Sequence, residues 1–316
     1  MAISSSELST NKADFGKYPK ISSVIELLKP VTWFPPMWAF LCGAISSGVA
    51  FEENWLLVTC GIVLAGPLVC AMSQAINDWH DRFVDMINEP DRPIPSGRIP
   101  GKWGLYIACL WTALSLLMAV FLGVWVLVAT VVGLFLAWAY SAPPFRLKKN
   151  GWMGNMAVAI SYEGLAWFTG AAVLIGSLPD WRIITLALLY SIGAHGIMTL
   201  NDFKSVHGDS RMGIQSLPVQ MGEAAAAKFA SFVMAVPQVA VITLLVLWDL
   251  QFHALMVTAL LIGQIYLMFK YLLNETELTK EPNRNAALYN ATGTTLYVIG
   301  MMICAFGIGG QLAVVS

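Results

Sequence analysis

Charge is scarce in this chain: Asp, Glu, Lys and Arg make up 12% of its 316 residues, about half the roughly 25% of an average soluble domain. A surface facing water on all sides cannot be covered with so few charges, which argues against a soluble enzyme. The 18 Lys and Arg residues nearly balance the 19 Asp and Glu residues, so bulk charge gives no support to nucleic-acid binding. Cysteine is sparse as well. Cys42, Cys60, Cys70, Cys109 and Cys304 lie in or beside apolar stretches with no C-x-x-C pair, the pattern of packing residues and not of a zinc site or a disulfide framework. Residues 1–29 lack the continuous apolar core of a signal peptide. They read as a partly disordered cytosolic tail, with a short interfacial helix near Ile21–Leu28.

Apolar residues are what the chain has, at 57% and a mean hydropathy of +0.67. A bilayer core about 30 Å thick takes about 20 apolar residues at 1.5 Å rise. Runs of that kind fall at 31–51, 56–76, 103–121, 124–142, 153–175, 182–200, 225–248, 252–272 and 288–312, which predicts an all-α polytopic bundle of nine spans. The uncharged run Trp103–Phe145 is far too long for one crossing and must turn near Gly123. Cations gather in cytoplasmic loops, and with the N-terminus inside and the C-terminus outside, 17 of the 18 fall on the inner side, Arg182 being the exception. The domain reading is a tail over 1–29 followed by one membrane domain over 30–316.

Two inner loops echo each other. NDWHDRFVDMINEPDRPIPSGR begins at Asn77 and NDFKSVHGDSRMGIQSLPVQMG at Asn201, an offset of 124 residues that also relates Asp85 to Asp209. The echo predicts two parallel copies of a four-helix unit, about 30–150 and 151–272, closed by the final helix. On a helix, Asn77, Asp78, Asp81 and Asp85 share roughly one face, and Asp202 and Asp209 repeat the i, i+7 spacing. A single Asp beside an Arg at a membrane boundary reads as an ion pair or a helix cap. Two matched copies, with five carboxylates whose charges repel unless neutralised, read as a metal site. Hard oxygen donors suit Mg²⁺, which bridges one or two carboxylates to substrate phosphates; a diphosphate substrate is the inference. Asn77, Asp78, Asp81, Asp85, Asn201, Asp202 and Asp209 are the candidate metal ligands, with Asp78, Asp81 and Asp202 central to catalysis. Arg82, Arg146, Lys148, Lys204 and Arg211 are the candidate diphosphate cations, with Arg92 and Lys149 nearby.

These motifs resemble those of the UbiA-type intramembrane prenyltransferases. More narrowly, KPVTWFPPMWAFLCGAISSG (29–48), INDWHDRFVDMINEPDRPIPSGRIP (76–100), YSAPPFRLKKNGW (140–152) and LNDFKSVHGDSRMGIQSLPVQMG (200–222) are similar to the chlorophyll and bacteriochlorophyll synthase subgroup, the bacteriochlorophyll branch above all. The resemblance covers nearly all of 29–312. It implies Mg²⁺-dependent transfer of a C20 group, geranylgeranyl or phytyl, from its diphosphate to the propionate of bacteriochlorophyllide, in a bacterial inner or photosynthetic membrane with the active-site loops on the cytoplasmic face. Two departures stand: His207 replaces an expected Glu, and Ser205 occupies the place of Asp81 in the second motif, leaving the ligands of a second Mg²⁺ open. Chlorophyllide as acceptor, a quinone or haem precursor as acceptor, and a secondary transporter are the alternatives.

Two further groups stand apart from the motifs. Glu163 falls inside the fifth span, where a carboxylate is costly and marks function by default. His195 lies near the inner end of the sixth. Both are candidates for an acceptor pocket, against the plainer reading of helix-to-helix hydrogen bonding.

Overall fold

The computed structural model describes residues 17–315; the first 16 residues of the expected tail lie outside the described residues. Among the described residues every named element is a helix. Helix α1 (Ile21–Leu28) lies ahead of a short apolar helix α2 (Phe34–Ser46), and eight helices long and apolar enough to cross a membrane follow: α3 (Phe51–Ile87), α4 (Trp103–Leu122), α5 (Val124–Ser141), α6 (Gly151–Ile175), α7 (Trp181–Lys204), α8 (Glu223–Leu247), α9 (Gln251–Leu273) and α10 (Pro282–Val314). Nine spans were expected. Among the described residues eight helices meet the length of a crossing, and the segment expected as the first is a helix of 13 residues, about 20 Å at 1.5 Å per residue. Its shortness has a local cause: Pro35 and Pro36 can start a helix but not sit inside one, and Gly48 at φ 74° ends the following turn.

The turn between α4 and α5 falls at Gly123, whose φ of 119° is open to glycine and strained for other residues. Outward faces remain apolar. Phe121, Phe135, Phe232, Leu247, Phe252 and Phe306 are all more than half exposed, a surface that only a hydrocarbon environment can solvate. The protein is an integral membrane protein.

Inside, α2 and α6 meet backbone to backbone. A Cβ built on Gly43 would stand 1.8 Å from the Trp167 carbonyl oxygen, and one on Gly170 1.9 Å from that of Phe40. Small residues that let helices touch are the usual device of packing in lipid, where no hydrophobic force draws helices together. Trp167 stacks on Tyr190 at 5.7 Å between ring centres and donates to Ser46 Oγ at 3.0 Å; Tyr297 donates to the Tyr190 carbonyl at 2.6 Å. Gln238 of α8 and Gln264 of α9 exchange two amide hydrogen bonds of 3.0 Å, so buried polar groups find partners across helices.

Three stretches wind as π-helix: Leu64–Cys70 in α3, Ile160–Leu165 in α6 and Phe269–Leu273 in α9. The first contains Pro67, whose missing N–H explains the wider turn there. The first two face the same cavity.

Candidate active site

A cavity of about 930 Å³ opens among α3, α5, α6, α7 and the segments that follow them. Its depth can be read along α6, which lines it from Gly151 to Thr169, about 27 Å of helix. The mouth is polar and bears both motifs. The deeper wall is apolar, with Leu64, Ala65, Val69, Leu136, Ala137 and Val158.

Helix α3 runs unbroken through the first motif, so residues four apart stack. Asn77, Asp81 and Asp85 accordingly all line the cavity. Asp78 does not share that stripe. Its side chain is 1% exposed and takes Lys29 Nζ at 2.7 Å, with Arg92 Nη1 at 3.6 Å. Arg92 also reaches Asp85 Oδ2 at 3.0 Å. Burial works against the Arg92 charge, yet Asp78, Asp85 and Glu89 hold its pKa above the ordinary arginine value. Asp81 is paired with Lys148 and has Arg146 Nη2 at 3.6 Å. Burial pushes the Lys148 ammonium below the ordinary lysine value, against the pull of Asp81.

The second motif is built differently. Its expected continuous helix breaks: a 3-10 turn over Asp202–Lys204 and a new helix over Val206–Arg211 are hinged at Ser205, with φ −113° and ψ 1°. The i, i+7 geometry therefore does not carry Asp202 and Asp209 to one side. The fold does so instead, and both line the cavity with Asn201 and Lys204. Asp202 accepts from Asn155 Nδ2 at 3.0 Å; Asp209 accepts from Ser205 Oγ at 2.8 Å. Ser205 thus positions a carboxylate where the first motif has one of its own.

Some candidates stand elsewhere. Arg82 is turned onto the rings of Trp79 and Phe83, 4.0 and 4.3 Å from their centres, and neither it nor the exposed Arg211 lines the cavity. Nor does His195, which packs between Trp152 and Phe229 with Nε2 3.3 Å from the Trp152 carbonyl. Glu163 lines the cavity, and its Oε2 is buried without a hydrogen-bond partner. Lys29, Ser73, Gln74, Asn155 and Tyr162 were not foreseen. Lys29–Asp78 is 49 residues apart in sequence, Asn155–Asp202 47 and Gln74–Tyr162 88, and helix periodicity says nothing about such pairs.

Among the described residues no group of three or more His, Cys, Asp or Glu side chains is placed to hold a metal. A closed protein cage is therefore absent from them. The same cavity is nevertheless lined by the motif carboxylates Asp81, Asp85, Asp202 and Asp209 and the motif amides Asn77 and Asn201, a hard-oxygen set suited to an ion that completes its shell with water and substrate phosphate. Arg146 Nε, buried with no acceptor, and the cations beside it can serve an anionic ligand. The arrangement can therefore hold a charged head group at its mouth and an apolar tail in its depth.

That division of polarity belongs to membrane enzymes acting on amphiphilic substrates. The model of the UbiA prenyltransferase family matches residues 32–291, and the chain belongs to this family; it is a prenyltransferase. It is 56% identical to the bacteriochlorophyll synthase 33 kDa chain of Cereibacter sphaeroides over 92% of this chain and 94% of that one. It is 39% identical to the chloroplastic chlorophyll synthase of Arabidopsis thaliana over 89% and 73%. A solved structure of a UbiA homologue from Archaeoglobus fulgidus, bound to GPP and Mg²⁺, superposes with a TM-score of 0.65 at 20% identity, covering 87% of this chain and 99% of that one.

Proposed function

We propose that this protein esterifies bacteriochlorophyllide, transferring a C20 prenyl group, geranylgeranyl or phytyl, from its diphosphate to the propionate carboxylate. The observation that carries the reading is one cavity in which two aspartate motifs and five cations, Arg92, Arg146, Lys148, Lys149 and Lys204, meet an apolar shaft. The 56% identity to a bacteriochlorophyll synthase chain supports the bacteriochlorin acceptor over the chlorin one.

Asn77, Asp81, Asp85, Asn201, Asp202 and Asp209 would hold Mg²⁺ together with the diphosphate oxygens; the Mg²⁺ named with the Archaeoglobus homologue supports this assignment. When bound, the ion supplies charge neutralisation to a departing diphosphate. The protein's own part is electrostatic and spatial. Arg146, Lys148 and Lys204 take charge from the leaving group as it builds, and the apolar wall keeps water from the cation-like carbon. An ionised propionate is already a nucleophile, so no protein base is required. The acceptor oxygen bonds to the prenyl C1 as the bond from C1 to the diphosphate oxygen breaks, and the electron pair leaves with diphosphate. We further assign the N-in, C-out orientation, the cytoplasmic mouth and the two four-helix repeats.

The test is pigment formation. Purified protein given bacteriochlorophyllide and chlorophyllide together, both C20 diphosphates and Mg²⁺ should yield esterified bacteriochlorophyll by mass spectrometry, and EDTA should stop it. Absence of any pigment ester, or full turnover in EDTA, would overturn the reading.

A further inference from the structure

Several polar groups in the cavity are left over from this account, Gln74 and Tyr162 among them. Gln74 stands three residues before Asn77, so Gln74, Asn77, Asp81 and Asp85 form one stripe, all lining the cavity. Gln74 is the deepest of them, about 5 Å below Asn77 along the helix. Gln74 Nε2 donates to Tyr162 Oη at 3.0 Å; Cys70 Sγ stands 3.3 Å from the same oxygen and also 3.3 Å from the Thr32 carbonyl, the natural acceptor of its one proton. Ser73 Oγ spends its proton on the Cys70 carbonyl at 2.7 Å and stands 3.5 Å from Tyr162 Oη. The Tyr162 oxygen thus accepts from Gln74, while its own proton has only a thiol sulfur and the long approach to Ser73, both weak partners. A phenol carries one donor and a sulfur is a weak acceptor, so a ligand carboxylate would take that proton in preference to Cys70. Tyr162 is delivered by the π-turn Ile160–Leu165, a rare conformation frequent at functional sites.

We propose that Tyr162 and Gln74 are the seat of the acceptor's carboxylate, Ser73 and Cys70 holding the phenol in place. The assignment rests on the prenyl-transfer reading above. The reacting C1 is bonded to the diphosphate and must lie just below the charged mouth. A nucleophile has to come within about 3–3.5 Å of it, the level at which this cluster stands. The chemistry of the donors fits as well. A lysine or arginine at this depth would pair with diphosphate and retain the leaving group; neutral O–H and N–H donors hold one carboxylate oxygen and leave charge on the other for attack.

Binding of the acceptor as its free acid and as its propionate methyl ester, measured by fluorescence quenching in the absence of prenyl diphosphate, tests the assignment. The native protein should bind the acid about tenfold or more tighter than the ester, the worth of a hydrogen bond to a charged group. Tyr162→Phe, which keeps the ring, should bring that ratio close to one with ester affinity and the KM for prenyl diphosphate unchanged. Gln74→Glu should drive the ratio below one by repelling the acid. Retention of the native ratio in both variants, or loss of prenyl diphosphate binding in their place, overturns the assignment. The two readings fail separately: if the native protein esterifies no pigment, the function is wrong, whereas turnover with an unmoved ratio refutes the seat alone.

Discussion

Asp78 and Asp81 are three residues apart in one motif and meet different surroundings. Asp81 faces the cavity, 20% exposed at the side chain and held by Lys148 and Arg146. Asp78 is closed off from water and is the counter-charge of Lys29 and Arg92. Removal of one member of a buried pair leaves the other uncompensated and costs several kcal/mol, about 3–5 where burial is complete; Lys29 and Arg92, each more than a quarter exposed, lower that here. Asp78→Asn should therefore appear first as a lower Tm in detergent. Asp81→Asn leaves Lys148, 8% exposed, among the other carboxylates of the cavity, so it should lower Tm less than Asp78→Asn while lowering prenyl transfer by about 10²-fold or more, the scale of a lost electrostatic contribution at a reacting centre. Thermal unfolding and turnover measured on both variants separate the two roles; equal loss of turnover with equal Tm would contradict them. The motif's residue types made all of these aspartates legible in the sequence as a group. Their division was not, because it depends on Lys29, and an isolated lysine ahead of a Pro-rich segment has the same look as any interfacial cation. Arg82 shows the converse, since the residue next to Asp81 is rotated by about 100° on the helix and finds tryptophan and phenylalanine rings in place of a phosphate.

At the scale of the element, the spacing of apolar runs against a bilayer's thickness predicted α3 to α10 and the break at Gly123. Wide turns left no such trace. A π-turn differs from an α-turn by one residue, and only Pro67 hints at the first of them; Ile160–Leu165 carries no proline, and its Gly164 looks like the other glycines of these helices, yet this turn is what brings Tyr162 and Glu163 to the cavity. The contact of α2 with α6 is a further case in which the sequence shows a feature without its partner. Gly43 and Gly170 each stand where a methyl group would strike the other helix's backbone. Gly43→Ala must push α2 away from α6, and overpacking of this kind costs about 1–3 kcal/mol. Gly310 on α10 has no heavy atom within 4 Å of a built Cβ, and Gly310→Ala should be neutral or slightly stabilising by helix propensity. A fall in Tm for the first variant with none for the second is the expected result; equal Tm values would mean that α2 and α6 do not rely on this close approach.

The whole molecule is polarised, and the small number of charges is what makes the polarity visible. On the proposed N-in, C-out reading of the sequence, 17 of the 18 cations fall on the side that carries both aspartate motifs and Arg182 on the other; in the structure Arg182 is held by Asp180 and Gln311. Two influences give the same sense. Insertion retains Lys and Arg on the cytoplasmic side, and a diphosphate site needs cations at its mouth, so on the proposed reading one group of residues would set both chain orientation and substrate access. Single cysteines introduced at Lys102 and at Ser177, both exposed at opposite ends of the bundle's crossings, report the orientation directly in a background whose native cysteines are replaced by Ser or Ala. In right-side-out vesicles a membrane-impermeant maleimide should label the Ser177 position and spare the Lys102 position, and inverted vesicles should exchange the two. Labelling of the Lys102 position from outside would place the active-site mouth away from the cytoplasm, and the cations would then owe their location to the diphosphate site alone.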